Sequence, residues 1–116
     1  MPKRVTIYHN PRCSKSRQAL ELLRERGIEP TVIEYLKTPP SVETLIELIE
    51  LLGVQPLDMI RTKEAEYAAS GLGKASTARE VAEAVLRAPI LLERPIVVSG
   101  TLAVIGRPPE RVLELA

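Results

Sequence analysis

The chain has 116 residues, with sixteen Lys plus Arg against fifteen Asp plus Glu. A formal charge of +1 leaves neither the basic footprint of a nucleic-acid binder nor an acidic tail, so no nucleic-acid partner is expected. The length suits a single domain (residues 1–116) around one core, which must be aliphatic because Phe and Trp are absent and Tyr occurs only three times.

In chain order, "KRVTIY" (Lys3 to Tyr8) and "TVIEY" (Thr31 to Tyr35) are β-branched and alternating, and predict two strands. Between them Ala19, Leu20, Leu22 and Leu23 recur near helical spacing, with Gly27 as the stop and Ser14 or Ser16 as the expected cap. Strand, helix and strand within about thirty residues make a βαβ unit, whose two strands run parallel. From Ser41 the pattern turns helical: Leu45, Ile46, Leu48, Ile49, Leu51 and Leu52 share a broad apolar face, capped by Ser41 and stopped by Gly53. Shorter helical pieces are expected over Pro56 to Arg61, Lys63 to Ser70 and Thr77 to Arg87. The segment "GLGKAST" lacks the Ser or Thr and the preceding strand of a phosphate loop, and reads as a helix-to-helix connection.

The chain then returns to strand. "IVV" and "LAVI", separated by "SGT", predict a hairpin. Pro108 and Pro109 suit the start of a last helix that buries Val112, Leu113 and Leu115. The order is βαβ, helical insertion, ββα. It predicts an α/β protein of the thioredoxin-like arrangement with a small four-stranded mixed sheet, its core over about residues 3–36 and 94–116 and its insertion over about residues 37–93.

The only cysteine, Cys13, and the only histidine, His9, sit in the turn between the first strand and the first helix. Cysteine chemistry needs the thiolate, which a helix N-terminus, an imidazolium or nearby arginines favour. Cys13 has candidates for all three, with Arg12, Lys15 and Arg17 beside it in sequence. Asn10 is placed to hold the turn by side-chain hydrogen bonds. Zinc is not expected, since one Cys and one His leave a tetrahedral site short of ligands. A lone cysteine also excludes an internal disulfide and agrees with a reducing cytoplasmic setting. No stretch approaches the ~18 apolar residues of a membrane span and the start has no signal-peptide apolar run, so no membrane partner is expected.

"YHNPRCSKSRQALELL", with "RPIVV" and "IGRPPE" downstream, resembles the glutaredoxin-coupled arsenate reductase (ArsC) family over essentially the whole chain. The resemblance implies Cys13 as nucleophile and His9 as the histidine that helps activate it. It implies Arg61 in "MIRTK", Arg94 in "ERPIVV" and Arg107 in "GRPPE" as the oxyanion pocket, with Asn10, Ser16 and Arg17 in support. Pro95 matches the cis-proline that faces the active cysteine in thioredoxin-like proteins. The activity implied is attack of Cys13 on arsenate, followed by resolution through glutathione as co-substrate and glutaredoxin as partner, with arsenite released. No bound cofactor is implied, and a monomer is expected.

Two other functions suit the same fold. One is a glutathione-dependent thiol oxidoreductase with another substrate. The other is a regulator similar to Spx that binds RNA polymerase; that class carries a Cys-X-X-Cys switch, and here the second position is Ser16.

Overall fold

The computed structural model describes residues 4–115. Lys3, expected to open the first strand, and Ala116, at the end of the expected core, lie outside the described residues. Strand β1 (Val5–His9), helix α1 (Ser14–Glu25) and strand β2 (Thr31–Glu34) form the βαβ unit, with β1 and β2 parallel and His9 opposite Glu34. Strand β3 (Ile96–Ser99) pairs antiparallel with β1, and β4 (Leu102–Ile105) antiparallel with β3, giving the order β2-β1-β3-β4. The result is the four-stranded mixed sheet of a thioredoxin-like fold.

Alternation builds its core. Val5 and Ile7 of β1, Val97 of β3 and Val104 of β4 are buried with Ala19, Leu20 and Leu23, the inward stripe of α1. Each of these Val, Ile and Leu side chains contributes roughly 1.5–3 kcal/mol by leaving water, and Ala19 less. Helix α1 ends at Gly27, whose φ of 77° is the left-handed conformation that lets its N–H reach Arg24 O and the N–H of Ile28 reach Leu23 O. The β3–β4 hairpin turns on two residues, Gly100 and Thr101, between the paired Ser99 and Leu102.

Contacts divide the chain into two units, Met1–Thr38 with Arg94–Ala116, and Pro39–Glu93. The second unit is helical. Helix α2 (Val42–Leu52) is capped by Ser41, whose Oγ accepts from the Thr44 N–H at 3.1 Å, and packs Leu45, Leu48 and Ile49 inward. Helix α3 (Ala65–Ser70) and helix α4 (Ala78–Arg87) follow, joined by the "GLGKAST" loop. Thr77 and Glu80 exchange hydrogen bonds at the start of α4, a complete capping box. Short 3-10 helices at Pro56–Met59 and Pro89–Leu91 lead to the Ile60–Leu92 bridge. Among the described residues no helix is long and apolar enough to cross a membrane.

Two local expectations give way. Tyr35 lies beyond the end of β2, fully buried in the turn that follows. The last element is a 3-10 helix, Pro109–Leu115, and its buried residues Pro109, Val112 and Leu115 fall three apart, the repeat of that helix. Leu113 is therefore only half-buried.

Between β4 and this helix, Gly106 has no room for a side chain. A Cβ there would meet Pro95 Cγ at 2.8 Å and Val112 Cγ1 at 3.0 Å, whereas one at Gly73 would meet nothing within 4 Å. Gly106→Ala is expected to lower stability by about 1–3 kcal/mol through overpacking. Gly73→Ala should stay within about 0.5 kcal/mol of wild type, and urea melts of both variants would check the pair.

Candidate active site

The turn between β1 and α1 is closed by its own backbone and one asparagine. Asn10 Oδ1 accepts from the Arg12 N–H at 3.0 Å, and the Asn10 carbonyl accepts from the Cys13 N–H at 3.0 Å. Cys13 is extended (φ −94°, ψ 122°), its carbonyl accepts the first helical hydrogen bond from the Arg17 N–H, and it is itself the N-cap of α1. The cysteine thus stands at the helix start, where the first N–H groups have no intrahelical partner. No side chain caps the helix. The serine caps expected here do not form, because Ser14 is an exposed first helical residue and the hydroxyl of Ser16 is committed elsewhere.

Ser16 is fully buried. Its Oγ accepts from the Asn10 N–H at 3.1 Å and lies 2.6 Å from His9 Nδ1. That hydroxyl has no other acceptor among the described residues, so we assign its proton to Nδ1 and the remaining ring proton to Nε2. Burial is the main cause that pushes the His9 pKa below its usual 6.5, opposed by Glu34 across the sheet and assisted by Arg24 and Arg17. No hydrogen bond joins His9 to Cys13.

A second set of groups reaches the cysteine from β3 and β4. Cys13 is buried, and Arg107 points Nη2 at its Sγ from 3.8 Å while its Nε donates to the Arg94 carbonyl at 2.9 Å. Arg94 itself keeps two buried donors, Nε and Nη1, without a hydrogen-bond partner among the described residues. The Arg94–Pro95 peptide bond is cis, as is Arg107–Pro108, and the Gly106 N–H donates to the Pro95 carbonyl at 2.8 Å. Gly106 and the second cis bond were not foreseen. A glycine between a strand and an Arg-Pro pair is the one sequence signal that points to such a close approach.

Arg17 is exposed and donates from Nη1 to the Pro11 carbonyl at 2.9 Å, bracing the turn from outside. Arg61 belongs to the second unit. Its N–H donates to the Leu91 carbonyl at 2.7 Å and its guanidinium pairs with Glu64.

A βαβ–ββα sheet, one thiol at the start of the first helix and a cis-proline opening β3 define a single-thiol protein of the thioredoxin-like class. More particularly, the chain belongs to the ArsC family, whose model matches residues 8–115. The uncharacterized protein YfgD of Escherichia coli K12 is 49% identical, over 99% of this chain and 98% of its own. The arsenate reductase of Rhizobium meliloti is 46% identical, covering 96% of this chain and 80% of its own. The solved arsenate reductase from Vibrio cholerae superposes with a TM-score of 0.94 at 46% identity, over 100% of each chain.

The lone imidazole gives a direct check of the buried network. Its NMR signals should titrate with a midpoint below 6.5, and the neutral ring should carry its proton on Nε2. The unfolded chain protonates first as pH falls. The stability that neutral His9 contributes is therefore complete above about 6.5 and declines as pH drops towards the folded midpoint.

Proposed function

We propose that the protein is an oxidoreductase that reduces arsenate, with Cys13 as nucleophile and Arg94 and Arg107 as the oxyanion-binding pair. The observation that carries this reading is Arg107, one edge of its guanidinium on the Arg94 backbone and the other facing Cys13 Sγ. The buried, unengaged N–H groups of Arg94 support it, because buried charged donors without partners are costly unless an anion takes them up. Guanidinium groups match the geometry of tetrahedral oxyanions with paired, charge-assisted bonds. Arg61 enters the proposal only as the third arginine that the family resemblance implies; its guanidinium is paired with Glu64.

In the proposed reaction the Cys13 thiolate attacks arsenic, one arsenate oxygen leaves as water after protonation, and a sulfur–arsenic ester forms. Glutathione then attacks arsenic and displaces a second oxygen as water, and a glutaredoxin thiol attacks the glutathione sulfur. The two external thiols thereby lose two electrons and end as one disulfide, the arsenic left on Cys13 passes from +5 to +3, and water hydrolyses the sulfur–arsenic bond to release arsenite and return the Cys13 thiol. The absence of any second cysteine in the sequence supports an external source for both thiols.

NADPH oxidation followed with arsenate, glutathione, glutaredoxin and glutathione reductase tests the proposal. Wild type should show an arsenate-dependent rate that Cys13→Ser abolishes. Arg94→Lys and Arg107→Lys should each lower kcat/KM by roughly 10- to 100-fold, the worth of one charge-assisted hydrogen bond. Equal arsenate-dependent rates for wild type and Cys13→Ser would refute it. A thiol that reduces glutathione mixed disulfides and ignores arsenate would move the assignment to another substrate of the same chemistry, and specific capture of RNA polymerase to a regulator.

A further inference from the structure

We infer that Arg12 and Lys15 form a cationic rim beside Cys13 that selects, as the reductant, a small thiol carrying carboxylates. The inference rests on Cys13 as the reacting sulfur and deepens that reading. Residues 1–20 hold five of the sixteen Lys and Arg and none of the fifteen Asp and Glu, in a chain whose formal charge is only +1. The positive charge is concentrated in the segment that holds the nucleophile.

Helix α1 shows that this arrangement works against the fold. The N-terminus of a helix carries a partial positive charge and favours carboxylates. Helices α2, α3 and α4 each place a glutamate in the first turn: Glu43, Glu66 and Glu80. Helix α1 places none there, and sets Lys15 and Arg17 in its first turn with Arg12 just ahead of the Cys13 cap. Among the described residues the exposed side chains of Arg12 and Lys15 make no hydrogen bond or ion pair, whereas Arg24, in the last turn of the same helix, is paired with Glu29. Cations kept without partners at the unfavourable end of a helix have their use in what approaches from outside.

A small oxyanion does not account for them, because its charge is met by the buried donors of Arg94 and by the edge of Arg107 that faces the sulfur. Arg12 and Lys15 are exposed on either side of a buried Cys13, so they meet whatever comes to the sulfur from solvent. The reductant must come that way. A peptide thiol such as glutathione brings a carboxylate on each side of its own sulfur. Exposed charge pairs add little affinity, but a local field of the opposite sign raises the rate of encounter and discriminates among partners. Glu21, the first carboxylate in the chain, lies further along α1, beyond both rim cations.

Thiol–disulfide exchange isolates this property. The Cys13 thiolate attacks one sulfur of a disulfide, a new sulfur–sulfur bond forms as the old one breaks, and the other half leaves as thiolate, so no further oxidant is needed. The second-order rate is followed by mass spectrometry at one pH with anionic glutathione disulfide, neutral 2-hydroxyethyl disulfide and cationic cystamine. Relative to wild type, the double variant Arg12→Ala with Lys15→Ala should slow glutathione disulfide about 3- to 10-fold more than 2-hydroxyethyl disulfide at about 50 mM salt, and should favour cystamine. At about 0.5 M salt the gap should close to within about twofold. Arg26→Ala removes a charge at the other end of α1, roughly 20 Å away along the helix axis, and should leave the selectivity within about 1.5-fold of wild type.

One common factor for all three disulfides overturns the inference, since cations that act only on the sulfur do not discriminate among them. An equal loss of selectivity in Arg26→Ala overturns it too, as does a double variant that melts below wild type, which would give the two cations a structural role. A wild-type Cys13 that exchanges with none of the probes overturns this inference and the nucleophile reading together. Exchange uses no arsenate, so absent arsenate turnover beside the expected selectivity would sink the substrate reading alone.

Discussion

Ser16 has one proton to give and lone pairs with which to receive, in a place that water does not reach, and this constraint organises the nucleophile turn. An exposed serine at the same point of the helix could turn to solvent and leave the turn unspecified. Buried, it must find both an acceptor and a donor in the protein, and only His9 Nδ1 and the Asn10 N–H supply them. The cost of leaving either unmade, about 1–3 kcal/mol, exceeds the net worth of an ordinary hydrogen bond. The end of β1, the asparagine turn and the first turn of α1 therefore keep one arrangement, and Cys13 sits in the middle of it.

The groups that face the sulfur come from elsewhere in the chain. Arg94 precedes β3 and Arg107 follows β4, so the antiparallel pairing of these strands brings two residues thirteen positions apart to the same end of the strand pair. Gly106 makes this possible at close range: its missing side chain lets Pro95 pack against the backbone, and its N–H meets the Pro95 carbonyl. The division of labour is clear in these terms. The β1–α1 turn fixes where the nucleophile stands, and the β3–β4 hairpin fixes what charge it faces.

Much of this was legible in the residues. The β-branched runs "TIY", "IVV" and "LAVI", and helical spacing around Leu20 and Leu45, are local signals that survive into the tertiary structure, although consecutive residues such as Ile7 and Tyr8, or Ile96 and Val97, are buried together where alternation alone would expose one of each pair. The serine cap was misjudged for a related reason. Propensity places Ser at an N-cap, but it does not register that a buried imidazole at the end of β1 competes for the same hydroxyl. The final helix was expected without its type, and only the spacing of Pro109, Val112 and Leu115 reveals the tighter repeat. At the site, Cys13 announced itself by its place between strand and helix. The unengaged donors of Arg94 and the contact of Arg107 with sulfur depend on distances across the sheet, and no sequence pattern carries those.

The two-residue turn at Gly100 and Thr101 bears on the chemistry although it lies at the far end of β3 and β4 from the sulfur. Arg107 is tied to the Arg94 backbone at one edge of its guanidinium and faces Cys13 with the other, so the separation of cation and sulfur is inherited from the alignment of β3 with β4. That alignment is set by the shortest hairpin loop a chain can make, which admits a single register. A slip of one residue in that register would turn every side chain of β4 to the opposite face. The hairpin tip thus works as a ruler for a distance measured at its base.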